Sequence, residues 1–119
     1  LRFAALLNQG DAHGRGATRQ LTELLVRTPL PETPVLMQGL AWLREVDLRA
    51  QIDAVRLPVT LIHGEHDTLM PLAAARWLAA HLPDARLDVF PGAAHAPFLN
   101  DPARFAELII DICHASPRR

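Results

Sequence analysis

The chain has 119 residues, 50% of them hydrophobic and 21% charged, with 12 Lys+Arg against 13 Asp+Glu and a formal net charge of −1. Such a composition excludes disorder as the main state, contains no apolar stretch near the roughly 20 residues that cross a bilayer, and lacks the basic excess of a non-specific nucleic-acid binder. One cysteine, Cys113, excludes an internal disulfide framework and a multi-thiolate metal site, and fits a reducing, cytoplasmic setting.

Leu1 to Asn8 is apolar and helix-compatible, with neither a Met nor a capping residue ahead of it, as in a piece of a longer protein. Gly10, Gly14 and Gly16 then predict a polar loop. A second helix is expected from Ala17 to Arg27, where Leu21, Leu24 and Leu25 share one face. Pro29 and Pro31 stop it. Thr33 and Pro34 read as N-cap and first helical position of a third helix, whose buried stripe would be Leu36, Leu40 and Leu43 and whose end falls near Val46.

The character changes at Pro58. Val59, Thr60, Leu61 and Ile62 form a short β-branched apolar run, the pattern of a parallel strand covered on both faces, and Gly64 ends it. Pro71 opens a helix with Leu72, Ala75, Leu78, Ala79 and Leu82 at helical spacing, closed by Pro83 and Asp84. Leu87, Val89 and Phe90 give a second strand, stopped by Pro91 and Gly92. Asp101 and Pro102 cap a last helix with Phe105, Leu108, Ile109 and Ile112 facing inward, and Ser116 to Arg119 forms a tail.

Strand, helix, strand, helix is the repeat of a parallel α/β sheet, in which sites lie beyond the carboxyl ends of the strands. The two loops there are Gly64-Glu65-His66-Asp67 and Gly92-Ala93-Ala94-His95-Ala96-Pro97-Phe98. An acid after one strand and a histidine after the next form the base-orienting half of a nucleophile, histidine and acid triad. Asp67 would fix the tautomer of His95, whose other ring nitrogen takes the nucleophile's proton. Glu65 is the competing acid. In this chain order the nucleophile belongs before Asp67, yet the only serine is Ser116 and no Gly-x-Ser-x-Gly elbow occurs. Cys113 reads as a small buried hydrophobe rather than a nucleophile. His63, His66 and Asp67 do not converge on one ion, so no metal and no cofactor are expected. His13, His81 and His114 read as surface residues, Trp42 and Trp77 as packing.

The two loops resemble the acid and histidine loops of the α/β-hydrolase superfamily. The Ala-Ala-His-Ala-Pro-Phe string, Val46-Asp47-Leu48-Arg49 and Pro29-Leu30-Pro31-Glu32 more specifically resemble the BioH family, the methyl ester esterases that act on pimeloyl-acyl carrier protein in biotin synthesis, over Arg2 to nearly the end. The resemblance implies the C-terminal part of an α/β-hydrolase fold, a parallel sheet with flanking helices, plus the remainder of a helical cap. Residues 1–56 would be cap and linker, and 57–119 core. It implies Asp67 as triad acid and His95 as triad base. Phe3, Ala4, Ala5, Leu6 and Leu7, with His95, would line the acyl site; Arg2, Arg15 and Arg19 would engage the acyl carrier protein, since an Arg fork binds carboxylate or phosphate bidentately.

The implied partners are the methyl ester of pimeloyl-acyl carrier protein, the carrier protein itself and a missing N-terminal half that holds the serine and oxyanion hole. Two alternatives stand beside this reading: another α/β-hydrolase acting on a small ester, a lactone or a carbon–carbon bond, and a non-catalytic fragment that binds acyl carrier protein. Two strands with uncovered edges also predict that the chain alone is marginally stable, and the missing serine and oxyanion hole predict that it does not turn over ester.

Overall fold

The computed structural model describes residues 2–11, 14–29 and 31–115, apart from the side chains of Arg2, Phe3 and Ala17. Three helices come first, α1 (Arg2–Leu7), α2 (Gly14–Arg27) and α3 (Thr33–Glu45), followed by a 3-10 segment at Arg49–Ala54. Strand β1 (Val59–Gly64), α4 (Leu72–His81), β2 (Ala85–Phe90), a short α5 (Pro97–Asn100) and α6 (Pro102–Ala115) complete the order.

β1 and β2 pair in parallel, Val59 opposite Ala85 and Gly64 opposite Phe90, so both strands end at the same level. Among the described residues they form a two-stranded sheet. Phe90, Ala93 and Leu108 make its core, with Ile62, Phe105 and Ile112 packed around them. The Arg104 guanidinium lies 4.2 Å from the centre of the Phe90 ring and donates to Val89 O at 3.1 Å, which joins α6 to β2. Asp101 caps α6 as its sequence predicts: Oδ1 accepts from the Arg104 amide at 3.0 Å.

Several expectations need correction. α2 starts at Gly14, not Ala17, because Gly14 N already donates to Asp11 O at 3.2 Å and a glycine costs a helix only about 1 kcal/mol relative to alanine. Thr33 is the first helical residue and Glu32 stands at the cap, its carbonyl accepting from the Val35 and Leu36 amides. The stripe Leu36, Leu40 and Leu43 forms its helix but is exposed, as is Trp42, and none of α3 is buried among the described residues. Periodicity tells which face favours burial, not whether this chain supplies the cover. Cys113 and Ile109 also face outward, and β1 is only half-buried until Gly64. The short α5 between His95 and Asp101 was not anticipated, four residues being too few to show periodicity. Trp77 does pack, stacked on His81 with ring centres 4.0 Å apart. His13 and Ser116 lie outside the described residues.

Candidate active site

Both strand ends feed loops that cross each other closely. The Glu65 amide donates to Phe90 O at 3.0 Å and the His66 amide to Ala93 O at 2.8 Å, which extends the strand pairing into the loops. Pro91 and Gly92 form the turn after β2; Gly92 takes φ +69°, and Ala93 N closes the turn on Phe90 O at 3.3 Å. At Gly64 a Cβ would stand 1.9 Å from Ala94 O, so only glycine lets the histidine loop pass over the end of β1.

This crossing brings Asp67 and His95 together. His95 Nδ1 donates to Asp67 Oδ2 at 2.8 Å, while Asp67 Oδ1 accepts from the Leu69 and Met70 amides at 2.9 Å each. The Asp67 side chain is 5% exposed and that of His95 38%, an arrangement of a sheltered carboxylate against a partly exposed imidazole. The Nδ1 bond leaves Nε2 as the nitrogen that can take up a proton. Glu65, the competing acid, turns away and accepts from the Gly92 amide at 3.0 Å. His63 Nε2 lies 3.9 Å from Asp67 Oδ2, beyond hydrogen-bond reach, and its Nδ1 faces Gly64 O at 2.9 Å. Among the described residues no group of three His, Cys, Asp or Glu side chains is placed to hold a metal ion.

Burial pushes the Asp67 carboxyl up, but hydrogen bonds from the Met70 amide, from His95 and from the Leu69 amide, with the charge of His95, outweigh it and hold the group below its ordinary 3.8. A depressed folded pKa stabilises the fold above the unfolded value, and that contribution is lost as pH falls through the folded one. Titration of the Asp67 side-chain carbon by NMR is therefore expected to give a midpoint below 3.8, with stability declining in the same acidic window. A midpoint above 3.8 would contradict the hydrogen-bonded geometry.

A cleft of about 230 Å³ opens beside the pair, lined by Leu61, His63, Met70, Ala75, Leu78 and Pro97 among others. Of the residues expected at the acyl site, Ala4 and Leu7 are buried while Ala5 and Leu6 are exposed; the side chain of Phe3 lies outside the described residues. The carboxyl end of α1 reaches the pair directly, because Leu7 O accepts from the His95 amide at 3.1 Å. Arg15 and Arg19 are exposed on α2, Arg19 paired with Glu23 at 3.1 Å, and the side chain of Arg2 lies outside the described residues.

Sequence reasoning missed the contribution of residues 8–11. Asn8 is buried and donates to Ala4 O at 2.9 Å, and Asp11 accepts from Ala94 N at 3.1 Å and from Asn100 Nδ2 at 2.9 Å. Nothing in the spacing signals the two Asp11 contacts, which join residues 83 and 89 positions apart.

A family model described as serine aminopeptidase, S33, an α/β-hydrolase family, matches residues 33–103. Among curated relatives, the pimeloyl-acyl-carrier-protein methyl ester esterase of Aromatoleum aromaticum is 49% identical over 93% of this chain and 44% of its own length. The protein of the same name from Nitrosomonas europaea is 40% identical over 87% of this chain and 41% of its own. The chain thus spans less than half the length of these relatives. Among solved structures, an esterase from Exiguobacterium antarcticum superposes with a TM-score of 0.80 at 21% identity, over 96% of this chain and 41% of that one. An esterase from a Rhodococcus species superposes with a TM-score of 0.70 at 22% identity, over 96% and 40%. At such identity the likeness speaks for the fold alone. Parallel strands that deliver an acid and a histidine from their carboxyl ends, the superpositions and the match over residues 33–103 agree: the chain belongs to the serine aminopeptidase S33 family of α/β-hydrolases.

Proposed function

We propose that this chain is the acid-and-histidine part of a serine carboxylesterase that hydrolyses the methyl ester of pimeloyl-acyl carrier protein in biotin synthesis. The observation that carries the reading is the 2.8 Å bond from His95 Nδ1 to the sheltered Asp67 carboxylate. The choice of substrate rests on the names of the relatives at 49% and 40% identity. Residues 1–56 act as cap remainder and linker, and 57–119 as part of the core. The preceding part of the protein supplies the serine and the oxyanion hole, and the work takes place in the cytoplasm, as the lone Cys113 suits.

In the first step His95 Nε2 takes the proton of the serine hydroxyl as its oxygen attacks the ester carbonyl. The tetrahedral intermediate collapses, His95 returns the proton to the leaving methoxide, and methanol departs from an acyl-serine. Water, deprotonated by His95, then attacks the acyl-serine; the serine oxygen recovers its proton and the free carboxylate leaves on its carrier protein. Asp67 stays ionised throughout and stabilises the imidazolium. Ala5 and Leu6, exposed on α1, face the acyl chain, and the exposed Arg15 and Arg19 meet the acidic carrier protein.

The natural gene product, with the coding sequence that precedes Leu1, is expected to release methanol from pimeloyl-acyl carrier protein methyl ester and to lose this activity in His95→Ala. Hydrolysis that survives His95→Ala removes the proposed base. Carrier-protein binding without methanol release would instead support a non-catalytic binding role.

A further inference from the structure

We propose that Asp11, in the turn between α1 and α2, is a positioning residue for His95, an inference that rests on the esterase reading for its kinetic consequence. Its carboxylate grips the histidine loop on both sides of the imidazole. Oδ2 accepts from the Ala94 amide, one residue before His95, at 3.1 Å, and Oδ1 accepts from Asn100 Nδ2, at the end of α5, at 2.9 Å. The adjoining backbone adds two more bonds: Leu7 O accepts from the His95 amide at 3.1 Å, and His66 Nδ1 donates to Gly10 O at 3.0 Å. Residues 7–11 therefore touch the acid loop and the histidine loop at once.

The backbone of Ala94 is the arm on which the imidazole swings. Both successive amides, Ala94 and His95, end on acceptors from the end of α1 and the turn after it, and Asn100 holds the far end of the short α5 that follows. Ala94 itself is buried, and removing the carboxylate takes away the acceptor on which its amide ends. A carboxylate suits the task because it offers acceptors to two donors at once. An asparagine presents one oxygen and turns an NH₂ toward the second donor. Asp11 thus links the helical first half of the chain to the direction of the His95 ring, without touching that ring.

The test compares Asp11→Ala, Asp11→Asn and Asn100→Ala in the natural gene product, by ester kinetics and by the low-field NMR resonance of the His95 Nδ1 proton bound to Asp67. Asp11→Ala is expected to weaken or broaden that resonance and to lower kcat by about 10- to 100-fold with KM changed far less, the scale of a small misplacement of a catalytic group. Asp11→Asn and Asn100→Ala, which each keep part of the grip, are expected to fall between. An unaltered resonance and an unaltered kcat in folded Asp11→Ala overturn the proposal, as does a loss of thermal stability alone with kcat per folded molecule preserved. Where Asp11→Ala does not fold, the same two readouts in Asp11→Asn and Asn100→Ala decide. If the unsubstituted protein hydrolyses no ester, the esterase reading fails, while the resonance still tests the positioning because it needs no turnover.

Discussion

Asp67→Asn is expected to lower kcat on the carrier-bound methyl ester by about four orders of magnitude while leaving KM nearly unchanged. The reason lies in which oxygen is already committed. Asp67 Oδ1 accepts from the amides of Leu69 and Met70 at 2.9 Å each. An asparagine keeps its single carbonyl oxygen on those two donors, since reversing the amide would aim an NH₂ at two N–H groups. Its NH₂ then replaces Oδ2 and donates to His95 Nδ1. The ring must carry its proton on Nε2 to provide that acceptor, and in this tautomer Nε2 cannot take a proton from serine. Steady-state kinetics, with His95 tautomers read from imidazole nitrogen shifts, check both halves of the claim. A variant with full kcat, or with the proton still on Nδ1, would show that Asp67 does not set the tautomer.

How much of this was legible in the sequence follows from the range of each interaction. Gly64, Asp67, Pro91, Gly92 and His95 lie within two short loops, which turn chemistry and parallel-strand logic are enough to locate. The capping of α6 by Asp101 is equally local. The grip of Asp11 on Ala94 and Asn100 spans more than 80 positions and has no periodic signature, so only the folded chain reveals it. The third kind of result is α3. Its leucines mark an apolar stripe, yet Leu36, Leu40 and Leu43 are 46%, 60% and 84% exposed. Amphipathic spacing records the surroundings a helix was selected for, and a segment that spans 44% of a relative's length need not hold them all.

Gly64→Ala is expected to be among the most damaging single substitutions at the site, although it adds one methyl group. That methyl would stand 1.9 Å from Ala94 O, 2.6 Å from Ala93 O and 2.8 Å from Ala94 C. All three are backbone atoms, which have no rotamer through which to step aside. Relief requires parting the end of β1 from the histidine loop, which strains the bonds from Glu65 N to Phe90 O and from His66 N to Ala93 O and displaces Ala94, the residue that carries His95. A loss of about 3 kcal/mol or more is expected, at or beyond the upper range for overpacked positions. Gly39→Ala is the matched control: within α3 its Cβ would meet none of the described residues within 4 Å, so added helix propensity should stabilise by up to about 1 kcal/mol. Urea unfolding of both variants gives the two numbers, and the low-field His95 resonance tells whether the acid and the base still meet. A Gly64→Ala protein within 1 kcal/mol of its parent, with that resonance intact, would mean that the loops do not cross as closely as described. The opposite signs at Gly64 and Gly39 follow from one physical difference: at the strand end another chain segment fills the space of the missing side chain, and on the helix none of the described residues does.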